Sequence, residues 1–250
     1  MQTSNDMFVK SFIALQKQYM ANELKTTDIK KYDKRKKLNR NDFETTGKYG
    51  IPIVRKQNID PDTIELLSYT KTKQNDCENL HKTIHFFTYD WLFDSAYDNP
   101  EKVSEKLKQY YAVLTPDFST YTDMSLALQI HSIFKSRWCG AFWQSLGMKV
   151  IPTIEWGDER SFDFCFDGIE QGSVVAVATY GRKNESGFLK GYSKMLEVIK
   201  PALIICYGEP FSGMNGNVKF ISPYNHNELI GKLGLEEYAK RYFKGDLYPS

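Results

Sequence analysis

No two of the four cysteines in this 250-residue chain lie near one another. Cys77, Cys139, Cys165 and Cys206 form no CxxC pair, which argues against a zinc ribbon and reads as a set of reduced, separate thiols. Histidine is as sparse. His81, His85, His131 and His226 show no metal-ligand spacing, and His85, set inside an apolar run, reads as a packed residue. No stretch approaches the roughly 18 apolar residues of a membrane-spanning helix. The amino terminus is polar over Met1–Asn5, and Lys10 interrupts Phe8–Leu15, so a secretory core is missing too. The expectation is a cytoplasmic protein with no membrane partner. A strong charge of one sign is also absent, with 33 basic against 31 acidic residues, so the chain as a whole is not an obvious nucleic-acid polymer binder. GxxxxGK[ST], GxGxxG and GxSxG are all lacking, which sets aside P-loop, dinucleotide-binding and serine-hydrolase chemistry. There is no internal repeat and no low-complexity segment.

What is present is a sizeable core. The composition is 41% hydrophobic and 14% aromatic, with 16 Tyr and 16 Phe, enough to fold without a disulfide or metal. Such an aromatic content serves packing, base stacking or both. Residues 1–48 differ from the rest. Phe8, Phe12, Leu15 and Tyr19 recur at helical spacing and predict a helix over about residues 5–24. Lys30–Arg40 then carries seven basic residues against one acid. Lys34, Arg35, Lys36, Lys37 and Arg40 form either a phosphate-binding arm or a solvated linker. The expected organisation is a helical, basic extension over 1–48 and one α/β domain over 49–250.

That domain alternates short apolar runs with helical periods. Strands are predicted at Ile51–Val54, Ile84–Phe87, Tyr111–Thr115, Lys149–Trp156, Val174–Thr179, Ala202–Cys206 and Val218–Ile221. A ribbon is predicted where Phe162, Phe164 and Phe166 alternate with polar residues. Helices are predicted over Asp62–Ser68, from Pro100, over Met124–Leu146, over Phe188–Ile199 and over Leu229–Phe243. Strands spaced by helices imply right-handed crossovers and a mostly parallel sheet, open or rolled into an incomplete barrel. Eight regular units cannot be counted.

In such sheets the ligand sits beyond the carboxyl ends of the strands. Polar residues gather there. Asp90 follows one strand, Asp117 another and Glu155 a third. Three carboxylates converging would make a Mg2+ or Mn2+ site able to activate water. The plainer readings are an Asp capping a turn and a solvated acidic loop. Trp156 could stack on a base or cover the sheet end. Tyr180, Arg182 and Lys183 form a weak phosphate-loop candidate ahead of a helix, and Tyr207 closes the equivalent turn after the next strand. Arg137, on the longest helix, is either a phosphate clamp or the partner of a structural carboxylate.

Several separated motifs carry a resemblance. Arg40-Asn41-Asp42-Phe43, Gly50-Ile51-Pro52, Leu114-Thr115-Pro116-Asp117-Phe118-Ser119 and Arg137-Trp138-Cys139-Gly140 are among them. So are Val150-Ile151-Pro152-Thr153, Trp156-Gly157, Ser161-Phe162-Asp163-Phe164 and Phe166-Asp167-Gly168-Ile169. Together they resemble a "domain of unknown function" family of phages, plasmids and other mobile elements of Gram-positive bacteria, over roughly Arg40 to Gly216. The resemblance implies a mobile-element setting and brings no assigned activity or catalytic residues.

Two readings follow. In the first, the protein is a metal-assisted hydrolase or related enzyme acting on nucleic acid or a nucleotide. Asp90, Asp117 and Glu155 serve as catalytic and metal-holding groups. Arg137, Arg182, Lys183, Trp156, Tyr180 and Tyr207 contact the substrate. In the second, it is a non-catalytic factor that binds DNA or a host protein, as a replication accessory or an antagonist of host defence. The sequence leaves the oligomeric state open.

Overall fold

The computed structural model describes residues 38–224 and 226–243. The chain divides into two compact units, residues 1–42 and 43–250. The predicted amino-terminal helix and Lys34, Arg35, Lys36 and Lys37 lie outside the described residues. Arg40, in the first unit, is described and adopts a left-handed φ of 49°. The division falls earlier than residue 48 because β1 (Thr45–Thr46) pairs antiparallel with β2 (Ile51–Pro52) in the second unit.

The second unit is α/β. Parallel strands β3 (Leu66–Ser68), β4 (Thr83–His85), β5 (Ala112–Leu114) and β6 (Val150–Ile151) form one sheet in that order. Strands β7 (Val174–Ala178), β8 (Leu203–Tyr207) and β9 (Val218–Ile221) form a second, also parallel. The two are stitched at a parallel bridge between Thr153 and Ala176, where Ile154 N donates to Ala176 O and Ala176 N to Pro152 O. Pro152 is tolerated there because it contributes its carbonyl and no donor is asked of it. Seven strands thus follow one another in chain order.

The sheet is rolled. His85 on β4 and Tyr207 on β8 are four strands apart, which is about 19 Å in a flat sheet at about 4.8 Å per step. Their rings are 4.6 Å apart, and Phe87 stacks on Tyr207 at 5.1 Å. Alternate residues divide between the two faces as the pleat requires. Leu66, Leu114, Ile151, Ala176, Ile205 and Ile221 share an inner core. The next residues along, Val113 and Val150, pack outward against α2 (Pro100–Leu107) and α3 (Leu126–Ser145), through Leu107, Trp138 and Trp143. Val175, Val177, Ile204 and Cys206 pack outward against α4 (Glu185–Ile199) through Phe188, Tyr192 and Met195. Among the described residues no strand pairing joins β9 to β3, so the barrel is incomplete. Lys219 Nζ crosses that gap to Pro61 O at 2.8 Å.

Three expected elements come out differently. Asp62–Ser68 is a short 3-10 turn, Pro61–Thr63, followed by β3. Asp60 caps the turn by accepting from Asp62 N, and the apolar Leu66 and Leu67 then face opposite sides, which suits a strand. The Phe162–Phe166 segment is a 3-10 helix, Glu159–Asp163, running into a turn. Asp158 Oδ1 caps it through Arg160 N, and Phe164 and Phe166 are buried against the outer core without strand pairing. The closing helix is two, α5 (His226–Leu233) and α6 (Leu235–Phe243), broken at Gly234. Gly234 has a φ of 78°, which glycine adopts at little cost and which ends a helix. A four-residue helix, α1 (Ser95–Asp98), precedes α2. Among the described residues no helix is long and apolar enough to cross a membrane.

Candidate functional site

The carboxyl ends of β5, β6 and β7 bring three charged side chains together. Asp117 follows β5 after Pro116 stops the strand. Glu155 lies two residues beyond Thr153, whose bridge extends β6. Arg182 follows β7 in the loop that leads into α4, whose start is capped by Asn184 Oδ1 accepting from Gly187 N at 2.9 Å. Arg182 Nη2 is ion-paired with Glu155 Oε2. Its Nε donates to Ala178 O at 2.9 Å, and its guanidinium lies over the rings of Trp156 and Phe188 at 5.8 and 5.5 Å. The arginine is therefore clamped on its edge and on its face.

Asp117 touches Glu155 carboxyl to carboxyl. Its Oδ1 is buried and receives no donor from the protein. Two charged carboxylates repel at such a contact, which favours the protonated form of Asp117. Burial first, and Glu155 second, push the Asp117 pKa well above the ordinary carboxylate range; Arg182 pulls the other way. Burial works against the charge of Arg182, but Glu155 and then Asp117 outweigh it, and its pKa is raised. The group is thus two carboxyls and a guanidinium in a row.

Asp90 lies beside this row without joining it. Its Oδ2 accepts from Ser119 N at 3.0 Å and its Oδ1 from Ser119 Oγ at 2.9 Å. These bonds tie the loop after β4 to the loop after β5. The three-carboxylate metal cluster expected from the sequence is not assembled. Among the described residues no group of three or more His, Cys, Asp or Glu side chains is placed to hold an ion. The donor set explains why. Ser119 donates to both oxygens of Asp90, and Arg182 is ion-paired with Glu155. A divalent ion held by Glu155 would have to compete with the Arg182 guanidinium.

Two expected contact residues turn inward. Trp156 is 1% exposed and has no face to offer a base. It packs on Phe188 at 5.1 Å and against Gly191 of α4. Arg137 is fully buried and donates to Thr153 O at 2.8 Å, Cys165 O at 3.0 Å and Asp167 O at 3.3 Å. It is a strut that fastens the 165–167 turn to the end of β6. Burial lowers its pKa to about 10, so it still carries its charge at neutral pH. The sequence signal for a strut was its place among the apolar residues of α3.

Tyr180 and Lys183 are exposed near the row, while Tyr207 is buried in the mouth against His85, Phe87 and Tyr180. His85 Nδ1 accepts from Phe87 N at 3.2 Å, and burial, then Lys71, lowers its pKa to about 3, so the ring is neutral. Sequence reading missed Ser119, Phe87 and the placing of His85. The polar step after Phe118 was visible, but its partner 29 residues earlier was not.

A parallel α/β domain with a carboxyl pair and an arginine counter-ion at the carboxyl ends of its strands is the class these observations define. Over residues 43–225 the chain matches the family described as "Domain of unknown function (DUF4417)", and it belongs to that family. It is 37% identical over 171 residues to the "Gene 1 protein" of Mycobacterium phage L5, covering 67% of this chain and 74% of that protein. It is 33% identical over 170 residues to the "Gene 1 protein" of Mycobacterium phage D29, covering 66% of this chain and 63% of that protein. Both relatives are phage proteins, in keeping with the mobile-element setting that the motifs imply. No solved structure matches the chain.

Proposed function

We propose that the protein is a hydrolase acting on a nucleotide or nucleic acid, with Asp117 and Glu155 as its acid–base pair. The observation that carries this reading is the placing of Asp117 against Glu155 beside Arg182, at the strand ends where parallel α/β folds place their chemistry. A phosphate of the substrate competes with Glu155 for Arg182 and leaves the carboxylate free. Glu155 then takes a proton from water as the water oxygen bonds to phosphorus. The ester P–O bond breaks, and the Asp117 proton passes to the leaving oxygen. Lys183 supplies a second positive charge for phosphate. No metal-bound step is required, which departs from the expected Mg2+ or Mn2+ chemistry.

The test is turnover of a panel of nucleotides and short single-stranded oligonucleotides by wild type, Asp117→Asn and Glu155→Gln. Each substitution is expected to lower kcat by about 100-fold or more, the usual weight of a positioned acid or base. Wild-type turnover in both variants, or no turnover of any of these substrates by wild type, overturns the proposal. In the latter case the non-catalytic binding factor becomes the better reading.

A further inference from the structure

The loop that Asp90 anchors carries two aromatic rings in the open. Tyr89 and Trp91 stack with centroids 4.3 Å apart and planes 8° from parallel. They are 64% and 69% exposed. Exposing large flat rings is unfavourable, and the other three tryptophans are packed away; Trp138, Trp143 and Trp156 are 2%, 0% and 1% exposed. One face of Trp91 is covered by Tyr89, so at this exposure its other face looks onto solvent. The loop is also held firmly. Residues 90–92 form a 3-10 turn, Phe93 behind it is fully buried, and Asp90 between the rings takes both bonds from Ser119. Ser119 is two residues from Asp117, and the charge of Asp90 is felt by Asp117. A flat surface is thus fixed at the edge of the candidate site.

We propose that Tyr89 and Trp91 form a stacking platform for a nucleobase of the substrate, positioned beside Asp117 by the Asp90–Ser119 clamp. This rests on the reading of the Asp117–Glu155 row as a site for nucleotides or nucleic acid, and it names the part of the substrate that is recognised. A third ring laid on Trp91 continues the existing stack, and every base has a face that can do so. Arg182 and Lys183 provide for the phosphate, so the platform and the cations divide the ligand between them. Tyr89 and Trp91 are positioning residues for binding and take no part in bond breaking.

Trp91 is the one exposed tryptophan of the four, so its fluorescence reports on the platform directly. The experiment titrates the full chain with a short oligodeoxyadenylate, an abasic strand of equal length and charge, and a maltooligosaccharide. Saturable quenching by the oligodeoxyadenylate is expected, with at least about tenfold weaker binding of the abasic strand, because one stacked base contributes about 1–3 kcal/mol. Fluorescence polarisation of labelled strand should show a similar loss in Trp91→Ala and Tyr89→Ala and recovery in Trp91→Phe. Equal affinity for the abasic strand, unchanged binding by Trp91→Ala, or quenching by the sugar in place of the base overturns the platform. The acid–base reading stands or falls separately, on turnover by Asp117→Asn.

Discussion

Asp117 and Glu155, from the ends of neighbouring strands, meet carboxyl to carboxyl, and burial with the charge of Glu155 raises the Asp117 pKa. The folded chain therefore holds the Asp117 proton more tightly than the unfolded chain does. A carboxyl whose pKa is raised by folding contributes stability that is fully present below its unfolded value. That contribution is lost as pH rises through the folded value. Asn at 117 carries no titrating proton and can donate to Glu155 at any pH. Urea midpoints of Asp117→Asn relative to wild type should therefore rise with pH across this window and then level off. Parallel curves for the two proteins would show that the contact binds no extra proton.

The same carboxyl pair bears on metals. If hydrolysis proceeds through the carboxyl pair, exhaustive treatment with EDTA leaves kcat within about twofold of its untreated value, since no ion takes part in the acid–base step. Loss of turnover on chelation, with recovery on adding Mg2+ or Mn2+, would return the chemistry to the metal-assisted scheme that the three acids suggest in sequence.

Arg137 carries a structural burden that lysine cannot share. Its planar fork reaches three backbone carbonyls on two segments, and an ammonium group reaches fewer from the same place. Arg137→Lys should cost about 3 kcal/mol of stability, because at least one buried carbonyl then lacks its charged donor. Chemical denaturation measures this. A cost below about 0.5 kcal/mol would mean that the carbonyls find other donors.

Trp156 depends on a missing side chain. A Cβ at Gly191 would lie 2.2 Å from Trp156 Nε1, inside any tolerable contact. Gly191→Ala is expected to destabilise by about 1–3 kcal/mol despite the better helix propensity of alanine. Adding Trp156→Phe should recover part of the loss. A single Gly191→Ala variant as stable as wild type would show that the indole can swing aside.

The strand order was legible because each run of β-branched residues was bounded by turn chemistry and separated by a helical period. Pro100 marked the start of α2, and Val218–Ile221 is the strand that the pattern predicts. Leu66 and Leu67 misled, since a short apolar pair fits either period. The Phe162–Phe166 alternation misled because Asp158 and Ser161 divert the backbone into a 3-10 turn. At the site, Asp117, Glu155 and Arg182 could each be read as a strand-end residue. Their mutual contacts could not, for they join positions 27 to 38 residues apart.

Local sequence determined which segments are strands and helices, that the sheet is parallel, and that polar groups gather beyond the strand ends. These follow from backbone preference and side-chain periodicity, which act over a few residues. Tertiary structure alone decided that the sheet rolls until His85 meets Tyr207. It also decided that Asp90 bonds to Ser119 while Arg182 takes the place beside Glu155, that Trp156 and Arg137 turn inward, and that Trp91 turns out. Burial and charge pairing depend on which distant segments become neighbours, and a linear order of residues does not state that.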